Sequence, residues 1–170
     1  MSAVIESIDL SEFNGDGLEI VGRDGFDILF GTQLDDLVDA KAGNDLIMAG
    51  DGDDGIIGGD GNDRIKAGVG DDIIIGGTGV DKMTGGSGDD VFELVVEDLF
   101  DGSIDKITDF SESDKFKDII RLRGIAGDAV VEYDSDTGLI SVRGEDIIQV
   151  DPGLDINIDN IDGDGIWELF

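Results

Sequence analysis

Aspartate stands at every ninth position from Asp27 to Asp90: Asp27, Asp36, Asp45, Asp54, Asp63, Asp72, Asp81 and Asp90. Two places after each comes a large apolar residue, in turn Leu29, Val38, Ile47, Ile56, Ile65, Ile74, Met83 and Phe92. The period divides residues 22–93 into eight tandem blocks in which the acid is sixth, the apolar residue eighth and glycine fourth, except where Leu34 stands. A nine-residue unit cannot bury its own apolar side chain, so such units must stack until their apolar positions form a continuous core. A solvated Asp-Gly linker is the other reading of such composition, but disorder gives no reason for the apolar residue to return on schedule.

Each block divides into two chemical halves. Two or three glycines in the first six residues would cost roughly 0.5–1 kcal/mol each in a regular element; they suit a tight turn whose carbonyls point to a common place. The aspartate ending that turn adds anionic oxygens. Oxygen donors without nitrogen or sulfur suit a hard cation, above all calcium. A phosphate cradle is the alternative use of glycine-rich loops, but no G-x-x-x-x-G-K-[ST] occurs and these loops carry acids. The last three residues form a minimal strand with its middle side chain turned to one face. Turn, strand, turn, strand makes an eighteen-residue coil, so eight blocks predict four coils, a roll roughly 19 Å long at about 4.8 Å per strand.

Charge and missing residue types narrow the function. Acids outnumber bases 42 to 11, for a net charge of −31, and residues 22–93 carry 17 acids and 5 bases. Such a chain repels nucleic acid and anionic lipid and resists its own compaction unless cations bind. Cysteine and histidine are both absent, which removes disulfides, thiol nucleophiles, imidazole bases and the usual zinc ligands. No G-x-S-x-G elbow occurs, and no pair of the many carboxylates stands out for glycoside hydrolysis. The N-terminus lacks a basic start and an apolar stretch, so no Sec-type signal peptide or membrane span is expected.

Outside the repeats, residues 1–21 read as a leader or cap, strand-like around Ile5 to Leu10 and Leu18 to Val21. Residues 94–170 read as a β-rich cap, since an open roll end exposes apolar side chains and strand edges. Strands are expected at Val91 to Val96, Asp105 to Phe110, Asp118 to Leu122, Ala129 to Tyr133, Leu139 to Val142, Ile147 to Val150 and Leu154 to Ile161. The Asp134–Gly138 segment is a hairpin signature. NIDGDG at 160–165 starts like an EF-hand loop without its closing acid and reads as a polar turn. Positions seven and nine should face outward, which creates two apolar strips, one from Ile28, Phe30, Leu46 and Met48, the other from Ile57, Ile73, Ile75 and Val91. Exposed strips of that kind mark an interface, so the leader, the C-terminal segment or a second copy is expected to cover at least one.

Copies such as GGDGNDRIK from Gly58 and GGSGDDVFE from Gly85 fit G-G-x-G-x-D-x-U-x, with U apolar. With Asp105 to Phe110 and Asp118 to Leu122 behind them, they resemble the repeats-in-toxin (RTX) proteins, the haemolysin-type calcium-binding repeats. The resemblance implies an all-β, right-handed parallel β-roll binding Ca2+ and an extracellular protein exported by a type I secretion apparatus. The tail Glu168 to Phe170, an acid before apolar residues, is similar to the end of such export signals. The resemblance also implies ions held by sixth-position aspartates one coil apart: Asp27 with Asp45, Asp45 with Asp63 and Asp63 with Asp81 on one side, Asp36 with Asp54, Asp54 with Asp72 and Asp72 with Asp90 on the other. Backbone carbonyls of Gly50, Gly52, Gly59, Gly61, Gly68, Gly70, Gly77, Gly79, Gly86 and Gly88 complete the implied ligand set. Leu34 would be strained at positive φ and Lys41 occupies a second, usually glycine, position, so turns using them should bind less well. The residues favour a non-enzymatic calcium-binding module whose folding is coupled to the ion. A calcium-supported glycan- or surface-binding module is the second reading, and a polysaccharide-modifying enzyme the third, with self-association a further expectation.

Overall fold

The computed structural model describes residues 6–8, 17–95, 102–111, 117–123, 129–154, 156, 158–160 and 166–170. These residues form β-strands and no helix, arranged in two sheets. The first takes every other strand of the roll: β1 (Glu6–Ile8), β3 (Asp27–Phe30), β5 (Leu46–Asp51), β7 (Arg64–Val69), β9 (Lys82–Ser87) and β11 (Asp105–Ile107). β15 (Glu145–Gln149), β14 (Leu139–Val142) and β13 (Val131–Asp134) extend it. The second runs from β2 (Glu19–Val21) through β4 (Leu37–Asp39), β6 (Gly55–Asp60), β8 (Ile73–Thr78) and β10 (Val91–Val95) to β12 (Ile119–Arg123). There it meets β17 (Ile166–Leu169) and then β16 (Ile158–Asn160). Pairing within the repeats is parallel with an offset of eighteen residues, one coil. The chain is an all-β parallel β-roll.

Register explains the period. Leu29, Ile47, Ile65, Met83 and Ile107 stack as partners in one sheet, and Ile20, Val38, Ile56, Ile74, Phe92 and Ile120 in the other. All are buried, and they meet between the sheets. First-position residues also point inward, and there is room only for small ones; Ala40, Ala49 and Ala67 are buried. The repeat strands are longer than the three residues expected: β5 to β9 each span six, continuing into the first three positions of the next block. They extend because successive coils also pair there, as in the bonds from Asp51 N–H to Thr32 O (3.0 Å) and Asp60 N–H to Lys41 O (2.8 Å).

The nine-residue period ends at Glu93, but the sheets do not. β11 pairs with β9, β12 with β10 and β15 with β11, all in parallel. The direction then reverses: β14 and β13 add an antiparallel hairpin whose turn is Asp134–Gly138, and β17 closes antiparallel on β12. Arg121 on β12 bonds Glu168 at 2.9 Å and Arg123 bonds Glu93 at 2.9 Å, tying this strand to both neighbours. Strand β17, absent from the sequence expectation, holds Leu169 fully buried. The strand expected over 154–161 narrows to β16. Most of the 1–21 leader and residues 161–165 of the polar turn lie outside the described residues. Of the outward strips, Ile28, Phe30, Leu46 and Met48 are half-buried, whereas Ile57 and Ile73 are exposed, as is Leu37.

Candidate metal centre

The sixth-position aspartates face inward, like the eighth-position apolar residues. Asp27, Asp36, Asp45, Asp54, Asp63, Asp72, Asp81 and Asp90 are each at most 5% exposed. They form two columns, one at the start of each sheet's strands, joined by one repeated bond: the backbone N–H of each aspartate donates to Oδ1 of the aspartate one coil later. On one side Asp27 donates to Asp45, Asp45 to Asp63 and Asp63 to Asp81, at 2.7–2.8 Å. On the other, Asp36 donates to Asp54, Asp54 to Asp72 and Asp72 to Asp90, at 2.7–3.1 Å. The structure therefore brings together, side by side, the residues paired from the sequence.

One oxygen of each inner carboxylate is left over. Oδ2 of Asp45, Asp54, Asp63, Asp72 and Asp90 is buried and accepts no hydrogen bond. An ionised oxygen in that position is costly, because burial removes its hydration and nothing replaces it. Burial accordingly pushes Asp54 and Asp90 up to about 7 and Asp63 and Asp72 up to about 6, and raises Asp45; the backbone N–H bonds pull the other way, and neighbouring carboxylates add to the rise. Ion pairs form away from the columns, between Lys41 and Asp39 and among Arg121, Arg123, Glu93 and Glu168. Buried carboxylate oxygens without partners, repeated coil after coil, fit a hard divalent cation. No three acidic side chains converge on one point among the described residues, so such a site would draw on a pair of carboxylates and on backbone.

The glycines show why the turns admit little else. Gly61 has φ of 131°, and a Cβ there would lie 1.5 Å from the carbonyl oxygen of Gly43, one coil below. The second-position glycines repeat this: a Cβ on Gly68 would meet Gly50 O at 1.8 Å. Carbonyls in the turns thus point along the roll axis into the gap between coils. First-position glycine has another role, since a Cβ on Gly58 would lie 2.6 Å from Oδ2 of Asp63.

The irregular turns depart from this scheme in defined ways. Leu34 escapes the expected strain, because it does not take positive φ. Its loop closes instead on Thr32, whose N–H and hydroxyl both donate to Asp36 Oδ2, at 2.6 and 3.0 Å. Asp36 Oδ1 accepts Leu18 N–H at 2.6 Å, and Asp27 Oδ2 accepts Arg23 N–H at 2.6 Å. The first acid of each column is thus satisfied internally. Lys41 does adopt positive φ, 77°, in the place of a glycine.

Sequence reasoning missed two features. Asp81 N–H donates to Asp105 Oδ1 at 2.9 Å and Asp90 N–H to Asp118 Oδ1 at 3.2 Å, so both columns run one coil past the repeats. The signal was present, since Asp105-Lys-Ile107 and Asp118-Ile-Ile120 repeat the D-x-U half of the unit. A second ladder runs outside, through fifth positions: Asp53 N–H to Asp35, Asp71 N–H to Asp53 and Asp89 N–H to Asp71, with Asn62 N–H to Asn44 on the opposite edge.

A family model described as the RTX calcium-binding nonapeptide repeat (4 copies) matches residues 21–56, 30–65 and 57–92. No curated protein and no solved structure matches the chain. The period, the roll and the family model agree: residues 21–92 are RTX calcium-binding nonapeptide repeats, which bind Ca2+.

Proposed function

We propose that this is an extracellular, non-enzymatic calcium-binding protein in which the ions are part of the fold. The observation that carries the reading is the line of buried carboxylate oxygens without hydrogen-bond partners. Each ion sits between same-side turns, held by the pairs Asp27/Asp45, Asp45/Asp63 and Asp63/Asp81 or Asp36/Asp54, Asp54/Asp72 and Asp72/Asp90. Carbonyls of Gly50, Gly52, Gly59, Gly61, Gly68, Gly70, Gly77, Gly79, Gly86 and Gly88 supply the remaining ligands. Extracellular calcium modules bind with dissociation constants of about 10⁻⁴ to 10⁻³ M, so a cytosolic chain would keep its sites empty and fold only after export. Type I export, which passes an unfolded chain, fits this order of events. Circular dichroism during a calcium titration tests the coupling, and a chain already fully folded in excess chelator refutes it.

A second reading, that calcium supports a surface for glycans, is favoured by one feature. A groove of about 570 Å3 runs beside the Asp45–Asp81 column, lined by Phe26, Asn44, Asn62, Arg64, Lys82 and Lys106 among others. Arg64, Lys82 and Lys106 are register neighbours on β7, β9 and β11, forming a cationic row on a chain of net charge −31. An aromatic platform, amides and a row of cations suit an acidic oligosaccharide. Uronate oligomers should bind the calcium-loaded protein and lose affinity in Lys82→Glu; equal binding by both proteins counts against this reading.

A further inference from the structure

We propose that the ion columns do not stop with the repeats, and that Asp90 and Asp118 hold one further calcium ion where the eighth repeat meets the C-terminal segment. This rests on the calcium reading of the columns and extends it to residues beyond the matched repeats. Asp118 occupies the place that a fifth aspartate would take in the column of Asp36, Asp54, Asp72 and Asp90. It receives the Asp90 N–H on Oδ1 at 3.2 Å, as Asp90 receives that of Asp72 at 3.1 Å, and it is 4% exposed. Ile119 N–H bonds Asp90 O at 2.7 Å, as Val91 N–H bonds Asp72 O at 2.8 Å, so the backbone gap between the coils is the same.

A pair of acids alone would not make a site. Asp90 supplies the second observation: the residue is 1% exposed, and its Oδ2 is buried without a hydrogen-bond partner. This oxygen lies over Gly85, 2.2 Å from where a Cβ would be, and Gly85 N–H donates to Oδ1 of Asp109 at 3.0 Å. Asp109 adds negative charge within electrostatic reach of both Asp90 and Asp118 without converging on one point with them. This step differs from those inside the repeats in that Asp118 Oδ2 accepts Ser111 N–H at 2.7 Å, so the ion would draw on Asp90 Oδ2, Asp118 Oδ1 and backbone. Oxygen donors of this kind select calcium over softer metals. An ion here would lock β12, and through it β17, to the end of the roll.

Anomalous diffraction from crystals of the full chain grown with calcium tests the proposal without any substitution. The expected result is a peak about 2.3–2.6 Å from carboxylate oxygens of both Asp90 and Asp118, alongside peaks in the repeat columns. Occupied repeat columns with nothing between Asp90 and Asp118 would overturn this inference and leave the repeat reading standing. No peak in either column would overturn both. Asp118→Asn keeps the Oδ1 acceptor and removes the charge. It should bind one ion fewer by calorimetry while its circular dichroism in saturating calcium matches wild type, and unchanged stoichiometry would count against the seam site.

Discussion

Asp63 belongs to two of the six proposed repeat sites, which makes it the most informative position to neutralise. Asn in its place keeps an oxygen to accept Asp45 N–H, now bonded at 2.7 Å, and removes only the charge and the orphaned Oδ2. A site at about 100 times its Kd adds about 2.7 kcal/mol to stability, so losing two removes roughly 5 kcal/mol. That is the scale of a whole small domain's stability. Shared among the four remaining sites, the deficit is restored by about eight-fold more free calcium. Asp27, in a single pair, should shift the midpoint only about 2.5-fold when replaced by Asn. The metal-free chain should respond in the opposite sense, because Asp63→Asn takes a buried charge away and leaves it no less ordered than wild type. Calcium titrations followed by circular dichroism read both effects. Asp136→Ala, at an exposed position in the hairpin turn, is the control. If Asp63→Asn and Asp136→Ala share a midpoint, the paired-site reasoning is wrong.

The raised carboxylates give a pH prediction. Asp54 and Asp90 lie at about 7, and Asp63, Asp72 and Asp118 at about 6, against an ordinary value of 3.8. Their stabilisation of the calcium-free roll is therefore complete below about pH 4 and is lost as pH rises to 6–7. Metal-stripped protein should be more structured at pH 4.5 than at pH 8, and a spectrum flat across that window would contradict the assignment. Gly61→Ala forces a Cβ against Gly43 O at positive φ, whereas Gly25→Ala meets only the φ cost, since nothing lies within 4 Å. Thermal unfolding in calcium should put the second at about 1–2 kcal/mol and the first well above it. Lys41→Gly relieves a non-glycine φ of 77° and should stabilise by about 1 kcal/mol, despite the loss of the exposed pair with Asp39. Ile74→Ala empties a fully buried core position and should cost about 2–5 kcal/mol by the same assay.

The roll was legible because its period is nine and its coil eighteen: the same arithmetic that pairs Ile47 with Ile65 pairs Asp45 with Asp63. Strand length was not legible, since a glycine at positive φ signals a turn while its neighbours still pair across coils. The fate of Leu34 was also hidden, because the loop's solution uses the Thr32 hydroxyl rather than a strained backbone. Beyond Glu93 the spacing changes to twenty-four residues from Asp81 to Asp105 and twenty-eight from Asp90 to Asp118. Intervening segments of unequal length erase the period while the sheets preserve the register. Strand β17 was missed for a related reason: Trp167 and Leu169 alternate over too few residues to be told from a tail, and only pairing with β12 makes them a strand.

Solution scattering tests the central claim most directly, because it asks whether these buried carboxylates can exist without their ions. At pH 8 in excess chelator the 170-residue chain should be expanded, with a radius of gyration approaching the roughly 44 Å of an unfolded chain. Millimolar calcium, but not the same concentration of magnesium, should collapse it towards the roughly 15 Å of a compact domain of this length. A particle of that compact size in chelator, unchanged by calcium, would contradict the account.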